Sequence, residues 1–369
     1  MRVAIDAREL QGQPTGVGRY LAGLLAAWDV APAAAPHEFI LCAPGPIDAR
    51  RGGRVSTRVG AGRGPGGTRW EQFTLPRLVR EARADVLFAP GYTGPLLCPT
   101  PMVVAVHDVS FAAHPEWFGW REGMRRRILT RLTAKRASRV VTISEFSRGE
   151  ITRRLGIAGS KVDVIYPGAT SWAPPADRDA RLSREGERLV LCVGSLFSRR
   201  HIPELIAGFA RVARERRDVR LEIVGDNRTT PRVDLDRLAA ASGVDERIAL
   251  RSYLPEAALA ALYRRARAFV FLSDYEGFGL TPLEALAAGV PIVVLDTPVA
   301  REVYGDAAHY VPRPDPALVA GAIERVLFDE AERARILDAA QRTLPRYSWQ
   351  ACADRVLDVL VACGRQAGA

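Results

Sequence analysis

Residues 268–290 read AFVFLSDYEGFGLTPLEALAAGV, and the organisation of the whole chain can be worked out from this stretch. The apolar run 268–272 is typical of a buried strand, and a short polar, Gly-rich loop follows it. Thr281-Pro282-Leu283-Glu284 predicts a helix start of capping-box form with proline at the first helical position. Gly289 and Pro291 predict the end of that helix. A strand, a loop and a helix N-terminus in this order favour an anion such as phosphate.

The length and composition predict two domains. The chain has 369 residues, nearly half of them hydrophobic, and no uncharged apolar run long enough for a transmembrane helix. The start, Met-Arg-Val-Ala-Ile-Asp, has a strand pattern rather than that of a secretory signal. The five cysteines are scattered without a Cys-x-x-Cys pair. We therefore expect a reduced, cytoplasmic compartment, without disulfides or structural zinc.

The net charge of +10 is carried almost entirely by arginine, since Lys135 and Lys161 are the only lysines. Arginine forks suit phosphate and carboxylate groups. We expect no nucleic-acid partner, because the sequence has no helix-turn-helix, zinc-finger or RNA-binding aromatic signature. A compositional bias of the genome, acidic lipid surfaces and diphosphate substrates remain as explanations.

Strand-type runs alternate with helical patterns, which predicts α/β architecture with parallel sheets covered on both faces. In the first part we expect strands at 2–5, 38–42, 54–59, 85–88, 102–106, 139–143 and 162–165, and helices notably at 70–83, 121–137 and 145–155. In the second part we expect strands at 188–193, 219–224, 247–250, 267–272, 291–295 and 308–311, with helices at about 203–216, 234–242, 256–266, 281–288, 315–328 and 330–342.

Residues 168–187 lose this periodicity and become polar and Pro-rich, which is typical of a linker. We therefore expect two doubly wound, Rossmann-like domains, over residues 1–170 and 188–346, facing across a cleft and joined by a linker at 171–187. The sequence predicts a further helix within residues 347–369. Its pattern does not assign it to one of the two domains, and we expect it to pack on the first. Ligands of such sheets bind outside the carboxyl ends of the strands.

The stretch from Gly12 to Tyr20 predicts a Gly-rich turn between the first strand and a helix over residues 21–28. Gly16 and Gly18 supply only part of the dinucleotide fingerprint, because Leu21 stands where the third glycine belongs. The turn is either a flexible connection or a loop that lets the backbone approach a substrate.

His107 and Asp108 directly follow an expected buried strand, so they lie at its carboxyl end. At that position His107 is either a structural imidazole or a contact to a ligand. We expect no metal there, because His37 and His114 give no recognised ligand spacing.

Residues 121–137 predict a strongly basic helix whose buried stripe contains Ile128, Leu129 and Leu132. Such a basic run is either a solvated face or a contact to anionic lipid headgroups or a lipid-diphosphate acceptor.

Two arginines, Arg199 and Arg200, follow the expected strand 189–193 and its Gly194-Ser195 end, where a diphosphate is the natural partner. Tyr253 and Leu254 follow another strand end, where a nucleobase fits against the backbone and the aromatic ring.

These motifs together resemble glycosyltransferase family 4, the retaining nucleotide-sugar enzymes of GT-B fold, and the resemblance covers almost the whole chain. Glu276 and Glu284 have seven residues between them and match the E-x₇-E region of that family. The turn from Gly194 to His201 is similar to its phosphate-binding turn, with arginine in place of lysine at Arg200 and histidine in place of asparagine at His201. The His107 strand end and the Gly16–Tyr20 segment also match.

The resemblance implies a role for each motif. Glu284 binds the ribose hydroxyls, Glu276 lies near the donor sugar, and the backbone amides of the intervening loop hold sugar hydroxyls or phosphate. That loop consists of Gly277, Phe278, Gly279 and Leu280. Ser195, Tyr253 and Leu254 are further substrate contacts.

The implied chemistry is a same-face substitution in which Arg199 and Arg200 stabilise the leaving diphosphate and a diphosphate oxygen accepts the acceptor's proton. Glu276 and His107 position the sugar. We expect no cofactor and no metal, because the two Asp-x-Asp pairs, at 177/179 and 234/236, are explained by chance and by helix capping.

The expected function is therefore transfer of a hexose from a nucleotide diphosphate sugar to a glycan or lipid-linked acceptor. GDP-mannose is the first choice of donor over a UDP-sugar, because the N-terminal and His107 regions resemble those of mannosyl- and rhamnosyl-type members. Alternatives are a nucleotide-sugar epimerase, a phosphorylase or a non-catalytic sugar-nucleotide-binding protein; the missing third glycine disfavours a dehydrogenase.

Overall fold

The computed structural model describes residues 1–12, 16–47, 55–59, 67–170 and 188–366. The chain divides into two compact units: the first is Met1–Gly168 with Tyr347–Ala369, and the second is Ala169–Arg346. The expected linker at 171–187 lies outside the described residues. Each unit is built on one parallel β-sheet, as the α/β alternation predicts.

The first unit has a seven-stranded sheet in the order β3-β2-β1-β4-β5-β6-β7. Its strands are β1 (Arg2–Asp6), β2 (Glu38–Ala43), β3 (Val55–Val59), β4 (Val86–Ala89), β5 (Met102–Ala105), β6 (Arg139–Thr142) and β7 (Val162–Val164). Its α-helices before the second unit are α1 (Gly16–Val30), α2 (Leu75–Glu81), α3 (Ser110–Ala113), α4 (Trp120–Arg136) and α5 (Glu145–Glu150).

The second unit has a six-stranded sheet in the order β10-β9-β8-β11-β12-β13. Its strands are β8 (Arg188–Val193), β9 (Val219–Val224), β10 (Ile248–Arg251), β11 (Ala266–Phe271), β12 (Ile292–Leu295) and β13 (His309–Val311). Its helices are α6 (Ile202–Glu215), α7 (Leu235–Ala241), α8 (Glu256–Arg265), α9 (Leu280–Ala287), α10 (Pro298–Tyr304), α11 (Pro316–Phe328) and α12 (Glu330–Thr343).

Both sheets contain a point at which the strand order reverses. In the first unit the chain moves outward from β1 to β3 and returns to place β4 beside β1. In the second it moves outward from β8 to β10 and returns to place β11 beside β8. The carboxyl ends of these central strands form a crevice in doubly wound sheets, and ligands bind there.

The C-terminal helix α13 (Trp349–Gln366) belongs to the first unit. The indole Nε1 of Trp28 donates a hydrogen bond to the Ala353 carbonyl over 2.9 Å. Gly23 of α1 leaves room for this packing, because a Cβ there would lie 2.6 Å from the ring of Trp349. A side chain at that position would push the helices apart.

The prediction that α1 begins at Leu21 is wrong. The helix begins at Gly16, so Gly16 and Gly18 lie in its first turn and not in a loop. Gly18 and Tyr20 are buried, and they extend the stripe of Leu21 and Leu24 by one turn towards the N-terminus. Glycine costs a helix only about 1 kcal/mol, and burial of this face outweighs that cost.

The buried stripe predicted for α4 is also wrong. Ile128 and Leu132 are 48% and 44% exposed, and Leu129 is only half-buried. The helix instead packs through small or polar side chains, namely Gly123, Thr130, Thr133 and Ala134. These allow a close approach to the sheet, and the large apolar residues therefore point outward.

Two expected helices are interrupted by wider turns. The segments Trp70–Thr74 and Ile151–Leu155 form single π-helical turns beside α2 and α5. Within the described ranges, no helix is long and apolar enough to cross a membrane. All five cysteines lie in these ranges, and none forms a disulfide.

Candidate active site

The candidate site of the second unit lies at the carboxyl ends of β8 and β11. Gly194, Ser195 and the turn Ser198–Arg200 follow β8, and residues 272–279 follow β11. The amide of Asp274 donates to the Arg199 carbonyl over 3.0 Å, which joins the two loops through their backbones. The sequence patterns at 194–200 and 272–280 therefore come together at one strand-order reversal.

Arg200 and Glu276 are in direct contact. The Arg200 Nη2 donates to Glu276 Oε1 over 3.1 Å, and the hydroxyl of Ser273 donates to the same oxygen over 2.8 Å. The two charged side chains are 12% and 18% exposed. The guanidinium also lies 4.4 Å from the ring centroid of Phe271. A charge-assisted hydrogen bond that is largely shielded from solvent in this way is stronger than one on an open surface.

Gly194 provides the space for this arginine. Its φ is +134°, and a Cβ built on it would lie 2.1 Å from Arg200 Nη1. Any side chain at this position would displace the guanidinium.

Arg199 and Ser195 lie in the same turn, and both are half-buried. The Arg199 guanidinium lies 4.4 Å from the ring centroid of Phe197, which restricts its side chain.

The loop from Gly277 to Leu280 leads directly into α9. Gly279 is the N-cap with a φ of +92°, and no side chain caps the helix. The capping-box prediction is wrong: the left-handed glycine lets the helix begin at Leu280, and Thr281 is already helical. The first-turn amides therefore have no intrahelical acceptor.

Tyr304 of α10 supports this loop. Its hydroxyl donates to the Gly279 carbonyl over 2.9 Å, and a Cβ at position 279 would lie 2.1 Å from that hydroxyl. A pocket next to the loop is lined by Phe271, Ser273, Glu276, Phe278, Val294, Leu295, Thr297, Val299, Ala300 and Tyr304. Phe278 itself is buried.

Glu284 is buried within α9 and not at its N-cap. Its Oε2 accepts a hydrogen bond from the Tyr263 hydroxyl over 3.3 Å.

Tyr253 and Leu254 follow β10, the edge strand separated from β8 by β9. Tyr253 is 55% exposed and Leu254 is half-buried.

His107 of the first unit is a buried, neutral imidazole. Its Nε2 donates to the Pro90 carbonyl over 2.8 Å, since a carbonyl can only accept. Burial lowers the pKa of this histidine. Nδ1 is therefore the unprotonated nitrogen. Tyr20 and Tyr92 contact the imidazole edge-on, with centroids 4.8 and 5.6 Å away.

Asp108 has a local structural role next to His107. It accepts hydrogen bonds from the Tyr92 hydroxyl over 2.9 Å and from the Ser110 amide over 2.8 Å. Tyr92 has a φ of +67°, an unfavourable conformation for an aromatic residue.

Among the described residues, no group of three or more His, Cys, Asp or Glu side chains is placed to hold a metal ion. Asp234 is the N-cap of α7, as expected for the second Asp-x-Asp pair.

A buried ionic cluster at the end of β1 was not predicted. The Arg8 Nη2 lies 2.8 Å from Asp6 Oδ2 and 2.7 Å from Glu71 Oε2. Burial raises the pKa of Asp6 to about 6, although Arg8 opposes the shift. The only signal in the sequence is the polar ending of the first strand at Asp6; the partner Glu71 is far away along the chain.

Ser273, Tyr304 and Tyr92 were also missed. Each acts through a hydrogen bond that depends on the fold, to Glu276, to the Gly279 backbone and to Asp108 respectively. Of these, only Ser273 lies within the stretch that the sequence singles out, and there it reads as the end of a strand.

Comparison with known families identifies the class of protein. The sequence profile described as Glycosyltransferase Family 4 matches residues 14–170, and the profile described as Glycosyl transferases group 1 matches residues 175–343. The first match lies on the first unit but for its last two residues, and the second lies wholly on the second unit. The chain belongs to glycosyltransferase family 4, as the motifs predict.

The individual relatives have low sequence identity to this chain. An uncharacterized glycosyltransferase of Methanocaldococcus jannaschii is 28% identical over 244 residues, which cover 62% of this chain and 61% of that protein. The O-antigen chain mannosyltransferase RfbU of Salmonella typhimurium is 25% identical over 254 residues, covering 69% of this chain and 68% of that protein. The chain thus spans less than two thirds of the first relative.

Solved structures match over nearly the full length. Sucrose-phosphate synthase from Thermosynechococcus elongatus has a TM-score of 0.78 at 20% identity, with 97% of both chains covered. Anabaena HepE, solved in complex with UDP and glucose, has a TM-score of 0.73 at 19% identity and covers 98% of this chain and 99% of that one. These similarities confirm the predicted GT-B fold and, at such identities, nothing about the substrate.

Proposed function

We propose that this protein is a retaining glycosyltransferase that moves a hexose from a nucleotide diphosphate sugar to a glycan or lipid-linked acceptor in the biosynthesis of polysaccharide or cell-surface glycan. The observation that carries the proposal is the contact between Arg200 and Glu276 at the strand-order reversal of the second unit. This contact supports the proposal because a cation suited to a diphosphate and a carboxylate suited to sugar hydroxyls lie side by side, at the edge where such sheets bind ligands.

Arg199, Arg200 and the first-turn amides of α9 hold the diphosphate and stabilise its charge as it leaves. A diphosphate oxygen accepts the proton of the incoming hydroxyl, so that attack and departure occur on the same face of the sugar. The hydrogen bonds from Arg200 and Ser273 draw electron density from Glu276 Oε1. A carboxylate held in this way is suited to orienting the sugar and stabilising positive charge, and poorly suited to act as a covalent nucleophile.

Other predicted residues take supporting roles in the proposal. Glu284 binds ribose hydroxyls, with Tyr263 fixing one of its oxygens. Tyr253 and Leu254 contact the base. His107 accepts a hydrogen bond from a sugar hydroxyl at Nδ1, because its Nε2 is already bound to Pro90. Gly16 and Gly18 contribute backbone in the first turn of α1.

GDP-mannose is our first choice of donor, and the mannosyl activity in the name of the Salmonella relative supports it. A UDP-sugar is the alternative, as in the complexes of the Anabaena structure. A thermal-shift panel of GDP-, UDP-, dTDP- and ADP-sugars tests this choice. A ligand present at about 100 times its Kd stabilises the fold by about 2.7 kcal/mol, which a melting curve resolves. We expect a large shift with one base and none with the other three.

The turnover of the bound donor distinguishes the enzyme classes. We expect transfer that requires an acceptor and gives a product with the anomeric configuration of the donor. Epimerisation or phosphorolysis of the donor without an acceptor would favour the alternative enzyme classes, and binding without turnover would favour a non-catalytic protein. We propose that no metal or other cofactor takes part; loss of activity in EDTA with recovery in manganese would contradict that.

We further propose peripheral contact with the cytoplasmic face of a membrane through residues 121–137. Large apolar side chains of α4 recur at every fourth position on its outward side, where they are 44–76% exposed: Trp120, Met124, Ile128 and Leu132. Arginines lie between them, and Lys135 and Arg136 follow in the last turn of the helix. Apolar anchors among basic residues are the chemistry that binds anionic lipid at an interface.

Vesicle sedimentation tests this contact. The protein should bind vesicles that contain phosphatidylglycerol, bind neutral vesicles weakly and be released by salt, because surface charges are screened. Ile128→Glu should abolish binding. Leu318→Glu is the matched control, since Leu318 is an exposed apolar residue on α11 of the second unit. Equal binding by both variants, or by neutral vesicles, would contradict the proposal.

A further inference from the structure

His201 stands immediately after the two arginines in an unusual backbone conformation. It has a φ of +49° and is the N-cap of α6, yet its side chain makes no capping hydrogen bond. Its imidazole instead reaches the loop after β11, where Nε2 lies 2.6 Å from Asp274 Oδ2. On the other side, Nδ1 lies 3.6 Å from Glu204 Oε2 in the first turn of α6.

This contact is the third one between the same two loops. The Asp274 amide donates to the Arg199 carbonyl, Arg200 binds Glu276, and His201 binds Asp274. Three consecutive residues of the arginine turn are thereby fixed to the loop that carries Glu276. Glycine or asparagine is the usual residue for a left-handed position, so the backbone alone does not require histidine here.

The charges around His201 indicate an imidazolium. Asp274 and Glu204 face the ring, while Arg199 and Arg200 precede it and Glu276 is paired with Arg200. Burial alone would lower the pKa of His201, but the hydrogen bond to Asp274 and the neighbouring charges of Asp274 and Glu204 outweigh it and raise that pKa to about 9. With His201 protonated, three cations balance three carboxylates in this cluster. Its deprotonation leaves one net negative charge beside the diphosphate site.

We propose that His201 is a positioning residue of the donor site, and that its imidazolium, held by Asp274, fixes the arginine turn and maintains the charge balance required for a nucleoside diphosphate. This inference rests on the proposed function, because it takes the arginines to be the diphosphate site. The affinity for a diphosphate is then greatest while His201 is protonated and falls as the pH rises through 9. A phosphate group loses its second proton with a pKa of about 6, so the diphosphate group is almost fully ionised at pH 7.5 and its charge changes little in that window.

Calorimetric titration with UDP and with GDP at pH 7.5 and 9.5 tests the inference. A lost charge-assisted contact corresponds to roughly a tenfold loss of affinity. With a pKa of about 9, roughly a quarter of His201 is still protonated at pH 9.5, so the Kd of the wild type should rise about threefold. His201→Asn, which tolerates the left-handed conformation, should bind about tenfold more weakly at pH 7.5, without that further rise.

His309→Asn is the matched control, since His309 forms a comparable pair with Glu332, 2.7 Å away at β13 and α12. It should retain the affinity and pH dependence of the wild type. Any loss of a proton from the base of UDP or GDP affects the titrations of all variants equally. The test therefore rests on the differences in Kd between the variants. Equal pH dependence in the wild type and His201→Asn would overturn the inference alone. Failure of the wild type to bind either diphosphate would overturn the proposed function, and this inference with it.

A second measurement does not depend on a ligand. In imidazole NMR spectra of the free protein, one histidine should titrate near pH 9, and its signal should be absent from His201→Asn. In Asp274→Asn that histidine should titrate at least one pH unit lower, because its principal anionic partner is gone. Titration of His201 below pH 7 in the wild type would overturn the inference even if both diphosphates bind.

Discussion

Replacement of Gly279 by alanine tests whether the shape of the donor loop depends on Tyr304. The new Cβ would lie 2.1 Å from the Tyr304 hydroxyl, in a backbone with a φ of +92°. A left-handed alanine costs about 1–2 kcal/mol on its own. The clash adds to that cost and breaks the hydrogen bond between Tyr304 and the Gly279 carbonyl, which is worth about 1 kcal/mol. We expect a total loss of about 2–4 kcal/mol in the free energy of unfolding.

The Gly243→Ala variant measures the cost of a left-handed backbone alone, without the clash with a neighbouring side chain that is expected in Gly279→Ala. Gly243 has a φ of +72°, and no atom lies within 4 Å of a Cβ built there. This variant should lose only the backbone term, about 1–2 kcal/mol, and bind donor normally. Adding Tyr304→Phe to Gly279→Ala should recover part of the stability, because the nearest atom of residue 304 is then the ring carbon 3.3 Å away.

Urea unfolding gives the stabilities, and titration with nucleoside diphosphate gives the affinities. We expect Gly279→Ala to weaken diphosphate binding at least tenfold, since the displaced loop carries the amides at the start of α9. Equal stabilities of the Gly279→Ala and Gly243→Ala proteins, together with wild-type affinity in both, would refute this account of the loop.

Two further predictions concern the ionic groups. Ser273→Ala removes one of the two donors to Glu276 Oε1 and should lower kcat roughly tenfold, with a smaller effect on the donor KM; an unchanged kcat would show that Arg200 alone positions the carboxylate. Because burial raises the folded-state pKa of Asp6 to about 6 from 3.8, its contribution to stability is present at low pH and is lost as the pH rises through 6. The stability of the wild type relative to Asp6→Asn should therefore fall by roughly 2 kcal/mol between pH 4 and pH 7, as urea unfolding at each pH would measure, whereas a constant difference would contradict the raised pKa.

The parts of the fold that depend on local periodicity could be predicted from the sequence. Strands β8, β9 and β11 consist mainly of apolar residues, and the predicted bounds of each lie within one residue of the observed ones. The stretch 268–290 also contains its own loop and helix, so the order strand, loop, helix followed directly. The family motifs then connected this stretch with the arginines after β8.

Two of the errors, those on α1 and α4, have a common physical cause. Gly16 and Gly18 suggested a turn, but the burial of one helix face decided where α1 begins. Ile128 and Leu132 suggested a buried stripe, but small residues allow α4 to pack closely and leave the large ones outside. In both cases tertiary packing overrode the local signal.

Apart from Ser273, which lies three residues before its partner Glu276, the unpredicted parts of the site are contacts over longer sequence separations. The Tyr304 hydroxyl, in α10, donates a hydrogen bond to the Gly279 carbonyl, which lies 25 residues earlier in the chain. His201 contacts Asp274 across 73 residues. Sequence spacing carries no information about such pairs. Once β8 and β11 are known to be neighbours, the contact between His201 and Asp274 follows from the geometry of the sheet.

The rate of sugar transfer by Arg200→Ala, measured with the donor that the thermal-shift panel identifies, tests the central claim most directly. Loss of one preorganised donor to a developing charge lowers kcat by roughly 10²–10³-fold. Arg325→Ala, an exposed arginine on α11, is the matched control and should retain wild-type activity. A fall of this size confined to Arg200→Ala is the predicted result. Wild-type turnover by Arg200→Ala would contradict the claim that this arginine stabilises the leaving diphosphate.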